Sequence, residues 1–330
     1  MIIQDRVIAQ DAILRYNIAN PFREWIPSMS VLVLDLNFMG IREAIASYLI
    51  PHTHGAVLIE SGPGSTIPVL KDELGKHGLT PAEITDVFLT HIHLDHAGAA
   101  GWLARQGSRI HVHPLGALHL LDPQKLLASA KRLYGAMMER LWGEFLPVPA
   151  EQLSVFQPDE TVEVGGLHIR AIDTPGHAEH HLAYVCDGVC FSGDIGGVRL
   201  PGSNHLRLPM PPPEFQLEKW RISVQRLKQE LKQEKLDWIA PTHFGLFDDP
   251  SQHLAALEQS LDDTEAWLSK VMPADPPLEA LSDLFLEWMR ACSLDDGLDE
   301  RTMEAYELVN PSWMSPMGMQ RYWKKHRQAD

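Results

Sequence analysis

The chain has 330 residues, 45% of them apolar, with a formal net charge of −16 and three cysteines. That size and apolar content suit one large α/β domain with an extension, or two ordinary domains. The acidic balance argues against nucleic acid as a partner, because phosphate backbones are gripped by clustered Lys and Arg. No run approaches the ~18 consecutive apolar residues of a membrane span, so no membrane partner is expected. The N-terminus, Met1-Ile2-Ile3-Gln4-Asp5-Arg6, lacks a charged-then-apolar leader. Cys186, Cys190 and Cys292 are too few for a disulfide framework. These readings together suggest a cytoplasmic protein.

In chain order, residues 30–36 read as a strand, as do Ala46–Ile50 and Gly55–Glu60, followed by a turn at Ser61–Gly64. A helix runs through Val69–Leu74 and stops at Gly75 or Gly78. The apolar, β-branched segment Ile84–Thr90 predicts a buried strand, and the small residues Ala97–Leu103 predict a helix start. A short strand is expected at Arg109–His113. Residues 115–146 are helix-prone and could cap the site or pack on the scaffold. Hairpins are expected at Thr161–Val164/Leu167–Ile172, through Gly165-Gly166, and at Leu182–Cys186/Val189–Ser192, through Asp187-Gly188. Cys186 and Cys190 then read as buried strand residues. A Pro/Gly-rich loop over 196–213 precedes a helix from about Glu214 to Glu234, with Phe215, Trp220, Val224, Leu227 and Leu231 on one face. The strand Asp237–Ala240 follows. Residues 251–330 read as all-helical, broken at Pro273, Pro276 and Pro277.

Four predicted strands end in metal-ligand side chains. Between the Ile84–Thr90 strand and the following helix lies His91-Ile92-His93-Leu94-Asp95-His96. Downstream, Ile172 runs into Asp173-Thr174-Pro175-Gly176-His177, Ser192 into Gly193-Asp194, and Ala240 into Pro241-Thr242-His243. Imidazole and carboxylate are the ligands that zinc and similar divalent cations take. Sheet edges where strands give way to loops are where α/β folds collect their sites. Seven such residues match the needs of two adjacent ions sharing a carboxylate. No GxSxG elbow and no GxxxxGK phosphate loop competes with this reading.

With its HxHxDH signature and the His, Asp and His in order after it, the chain resembles the metallo-β-lactamase fold superfamily over roughly residues 30–250, in its glyoxalase II and lactonase-like branch. The resemblance implies an α/β fold: a four-layer αββα sandwich over residues 1–250, with 251–330 as a C-terminal helical extension. It implies His91, His93 and His177 on a first metal, Asp95, His96 and His243 on a second, and Asp194 bridging. The implied cofactors are two divalent ions, zinc or else iron or manganese. The implied activity is a metal-dependent hydrolase acting on a small-molecule ester, lactone, thioester or phosphoester by a metal-bridging hydroxide, with Asp95 orienting the nucleophile. An iron-dependent oxidoreductase resembling the sulfur dioxygenases, and a non-catalytic metal scaffold, are alternatives. Two departures stand out. Gly176-His177-Ala178-Glu179-His180-His181 replaces the common Gly-His-Thr-x-Gly-His, leaving His181 with a supporting or substrate role. Gly197 stands where acyl-homoserine lactonases often carry Tyr, so that activity is not supported. His111 and His113 alternate on one strand and face the same side; packing is the first reading for them, with a role supporting the ligands as the alternative, and His52, His54, His77, His119, His168, His253 and His326 are expected at the surface or in packing. Arg199 and Arg207 are candidates to grip an anionic substrate group. The tail could wall the pocket or form a homodimer interface.

Overall fold

The structure is a computed structural model that describes residues 31–328. The N-terminal hexapeptide and Ser30 lie outside the described residues. Two sheets stack face to face. The first holds β1 (Leu32–Asp35), β2 (Ala46–His52), β3 (Gly55–Ile59), β4 (Ile84–Phe88), β5 (Arg109–Val112) and β6 (Leu153–Val155), paired in that order. It is antiparallel from β1 to β3 and parallel from β3 to β6. The second runs β11 (Trp238–Ala240), β10 (Val189–Phe191), β9 (Leu182–Cys186), β8 (Leu167–Asp173) and β7 (Thr161–Val164). Its β10–β11 pair is parallel and the rest antiparallel.

The strands read as continuous apolar runs because both faces are covered. In β3, Val57 and Ile59 point into the layer between the sheets, while Ala56 and Leu58 face the helices outside. In β9, Leu182, Tyr184 and Cys186 face the inter-sheet layer, while Ala183 and Val185 face the opposite helices. Three apolar layers separated by two sheets make the αββα sandwich. Its fold is that expected from the sequence, with helices after the last strand.

On the first sheet's outer face lie α1 (Ile67–Lys76), α3 (Ala100–Gln106) and the trio α4 (Pro114–Leu121), α5 (Gln124–Tyr134) and α6 (Met138–Trp142). On the second lie α7 (Leu217–Glu234), α8 (Pro250–Val271), α9 (Leu278–Asp295) and α11 (Ser315–His326), with α10 (Glu300–Val309) beside them. Leu217, Trp220, Val224 and Leu227 recur at helical spacing along α7 and bury against Ile172, Cys190 and Ile239 of the sheet. Leu254, Leu257, Leu261, Leu281 and Phe285 of α8 and α9 join the same core, so the C-terminal helices are packed continuously onto the second sheet.

The structure departs from the sequence reading in places. β4 stops at Phe88, where Leu89 makes a last bond to β5 and Thr90 turns to the second sheet. The Leu89 amide donates to His111 O at 3.0 Å, and Thr90 O accepts from the Leu182 amide of the second sheet at 2.8 Å. His113 is not a strand residue; its Nδ1 accepts the Leu115 amide and caps α4. β6 was not apparent in the sequence, being three residues long at a sheet edge.

Candidate metal centre

The Ala46 amide donates to Thr242 O at 2.9 Å, and Tyr48 OH donates to Pro241 O at 2.5 Å. With the Leu182–Thr90 bond, these tie the loops of one sheet to those of the other, so the carboxyl ends of β3, β4, β8, β10 and β11 meet at one rim. His91 and His93 follow β4, Asp95 and His96 sit in the short helix α2 (Leu94–Ala97), and His177, Asp194 and His243 follow β8, β10 and β11. Two glycines permit the turns. Gly176 has φ +144°, and a Cβ there would lie 2.4 Å from Trp220 Cα. Gly193 has φ +53°, and a Cβ there would lie 2.6 Å from His181 Nε2.

All seven predicted residues converge. His91 Nε2 and His177 Nε2 each lie 2.9 Å from His93 Nδ1. Asp95, His96 and His243 form a second triad, with His96 Nε2 3.7 Å from Asp95 Oδ1 and His243 Nε2 3.6 Å from Asp95 Oδ2. Asp194 stands between the triads. Its Oδ2 is 3.3 Å from His177 Nε2, and its Oδ1 is 3.2 Å from His96 Nε2 and 3.5 Å from His243 Nε2. Each triad keeps its ligand-type atoms within 4.8 Å of one another and could hold a metal ion.

The histidines are oriented from behind. His177 Nδ1 donates to Pro209 O at 2.8 Å, and His243 Nδ1 donates to Ala44 O at 2.7 Å. His96 Nδ1 donates to Glu60 Oε1 at 2.9 Å. His91 Nδ1 lies 3.0 Å from Thr90 Oγ1, whose hydroxyl donates to Glu60 Oε1 at 2.5 Å. Each bond leaves the Nε2 lone pair facing the centre, the arrangement that outer hydrogen bonds impose on metal-binding imidazoles. Glu60 also accepts from Thr242 Oγ1 at 3.0 Å and from the Thr90 amide at 3.3 Å. It is the residue sequence reasoning missed. Its signal was an acid ending an apolar strand, as in the other ligand segments.

The donor set fits a cation. His96 Nε2 and Asp194 Oδ1 are both buried without a hydrogen-bond partner among the described residues. Groups left that way in a low-dielectric interior are costly unless something binds them. Burial pushes His93 down to about 3 and His91 well below the usual range, so both are neutral donors. Burial would depress His96 too, but Asp194, Asp95 and Glu60 outweigh it and hold His96 well above its ordinary value. Burial would raise Asp95, yet His96 and His243 hold it down at about 2. The carboxylates Asp194, Asp95 and Glu60 thus draw positive charge to the second triad, a proton on His96 that a bound cation would displace to take the Nε2 lone pair.

Other predicted residues sit further out. His181 Nδ1 pairs with Thr174 Oγ1 at 2.8 Å, and its Nε2 accepts the Ile195 amide at 3.5 Å, supporting the turn that carries Asp194. His111 points its Nε2 at Asp86 Oδ1, 2.7 Å away, and stacks on Phe88 at 4.1 Å, away from the triads. Arg199 and Arg207 do not reach the site. Arg199 grips Asp249 with both terminal nitrogens, at 2.7 and 2.9 Å. Arg207 pairs with Glu307 at 2.5 Å. Loop 196–213 nevertheless borders the centre, through Pro209.

Residues 40–244 match the family model of the metallo-beta-lactamase superfamily. A metallo-beta-lactamase fold-containing protein of Sulfurisphaera tokodaii is 26% identical over 151 residues, which are 42% of this chain and 54% of that one. A hydroxyacylglutathione hydrolase of Xanthomonas campestris is 30% identical over 146 residues, 44% of each chain. The chain thus spans about half the length of these curated relatives. In three dimensions it is similar to a metallo-beta-lactamase family protein of Thermus thermophilus, with a TM-score of 0.59 at 19% identity over 90% of this chain and 93% of the other. A Sulfolobus tokodaii superfamily structure gives 0.57 at 22% identity over 71% and 86%. With the family model spanning more than half its length, the chain belongs to the metallo-beta-lactamase superfamily.

Proposed function

We propose that the chain is a hydrolase that works with two divalent cations, zinc in the first place, on a small-molecule ester, thioester, lactone or phosphoester. The observation that carries this reading is Asp194, whose two carboxylate oxygens face different triads while Oδ1 has no hydrogen-bond partner among the described residues. His91, His93 and His177 would hold one ion, and Asp95, His96 and His243 the other, with Asp194 touching both. When bound, such a pair supplies hydroxide from water near neutral pH and polarises the bond under attack. Asp95 is the ligand-type carboxylate nearest the open side, its side chain 24% exposed. Held anionic by His96 and His243, it can accept a proton at Oδ1 or Oδ2 and orient the attacking water. The name of the Xanthomonas relative puts thioesters among the substrates to try first.

The test is elemental analysis of protein expressed with ample zinc, followed by a screen of thioesters, lactones, phosphotriesters and β-lactams on the same sample. About two equivalents are expected, on the arithmetic of three or four ligands per ion. Asp194→Ala should lose one ion and nearly all turnover while circular dichroism stays unchanged. Without a shared carboxylate, two dications repel with about four times the energy of a unit-charge pair at the same distance. A single full site with Asp95, His96 and His243 unliganded would overturn the reading.

A further inference from the structure

We propose that Tyr134, Trp142 and Trp313 form a recognition subsite beside Asp95 for a flat, uncharged apolar group that carries an acceptor oxygen, so that the C-terminal helices contribute to substrate selection. The proposal rests on the hydrolase reading only in taking the Asp95 side as the entrance. Tyr134 closes α5. Its hydroxyl meets Met314 Sδ at 3.6 Å, and a thioether is a weak acceptor. Burial pushes the phenol upward, so the group remains a donor; its place near Asp95 follows from packing, since a Cβ on Gly64 would lie 2.9 Å from Trp142 O and one on Gly98, three residues after Asp95, 2.7 Å from Gly64 N.

Trp142 supplies a second underused donor. Its ring meets Tyr134 edge-on at 5.0 Å and is fixed by stacking on Phe38 at 5.5 Å. The side chain is 7% exposed, yet its indole N–H has no acceptor among the described residues. Buried indoles ordinarily find one. Trp313, from the segment before α11, stands edge-on to Tyr134 at 6.1 Å and is 40% exposed. Two donors lacking good acceptors thus sit among aromatic faces, and the exposed indole is contributed from about 180 residues further along the chain. Aromatic walls favour a flat apolar ligand, and the donors favour one bearing a carbonyl or ether oxygen. The arginines that could have selected an anionic tail are committed to Asp249 and Glu307.

The experiment is calorimetric titration of the metal-loaded full chain with phenylacetate and with acetate, which share a carboxylate and differ by the ring. Phenylacetate should bind about tenfold tighter or more, and Trp313→Ala should cut that ratio to about threefold or less. Tyr134→Phe keeps the ring and loses the donor; it should leave the phenylacetate Kd unchanged and raise about tenfold the Kd of 4-acetylphenylacetate, whose ring carries a ketone oxygen, with metal content and Tm unchanged. Equal binding of phenylacetate and acetate by the parent, an unchanged ratio in Trp313→Ala, or an unchanged 4-acetylphenylacetate Kd in Tyr134→Phe would each overturn the subsite. Turnover is scored separately. A chain that hydrolyses nothing yet keeps the ratio loses the hydrolase reading and retains the subsite.

Discussion

Glu60→Gln is the most informative single change, because it keeps shape and removes only charge and acceptor capacity. Oε1 receives Thr90 Oγ1 at 2.5 Å, His96 Nδ1 at 2.9 Å and Thr242 Oγ1 at 3.0 Å, while Oε2 receives the Thr90 amide at 3.3 Å. An amide has one oxygen. Facing it toward the three donors sets its NH₂ against the Thr90 N–H, and the reverse orientation confronts three donors at once. The better orientation leaves one buried amide unsatisfied, worth about 1–3 kcal/mol, and loses the charge assistance of the His96 bond, worth about 1 kcal/mol. The metal-free variant should therefore unfold about 2–4 kcal/mol more easily. Because Glu60 orients His96 directly and His91 through Thr90, metal affinity should fall about 10- to 100-fold. The assays are urea denaturation with a chelator present and competitive zinc titration. A variant matching the parent in both would refute the assignment of Glu60 as the organising carboxylate.

Arg199→Ala should cost about 3 kcal/mol, since it strips Asp249 of a two-pronged partner and Phe247 of a cation 4.3 Å from its ring; denaturant midpoints should move while the Michaelis constant for any active substrate does not. His253 is held down at about 4 by burial, against an ordinary value of 6.5, so the folded state binds fewer protons than the unfolded chain. Its contribution is therefore complete above pH 6.5 and lost as pH falls toward 4, about 3 kcal/mol in all. His253→Gln should flatten the fall in stability across that window, and an identical slope in parent and variant would contradict the assignment.

The ligands were legible because the chemistry demands particular side chains at strand ends, and an apolar strand ending in His or Asp is visible without its neighbours. The strands themselves were legible where both faces are buried, as in β3, β9 and β10. Glu60 was not, because its role exists only once the ends of β3, β4 and β11 meet and give it four donors from Thr90, His96 and Thr242. Arg199 and Arg207 misled for a related reason. Their loop does border the centre, but a guanidinium on a long stem reaches whichever acid the fold supplies, here 50 and 100 residues downstream. Helical periodicity in the tail showed that helices form there and could not show which face meets α5.

Burial does not separate the site histidines from the packing ones. His91, His96, His111, His177, His181 and His253 are all nearly inaccessible. What separates them is where each nitrogen is engaged. His253 is used at both ends, donating from Nε2 to Gly196 O at 2.7 Å with Arg199 NH1 3.4 Å from Nδ1. His181 is held likewise, between Thr174 and Ile195. His111 spends its Nε2 on Asp86. In His91, His96, His177 and His243, by contrast, Nδ1 is tied to an oxygen behind the ring and Nε2 is turned toward Asp194 or His93. A ring tied only from behind presents a lone pair, and four of them around two carboxylates and His93 form a pocket whose missing partner is positive charge. That polarity of engagement, rather than depth in the fold, marks the site.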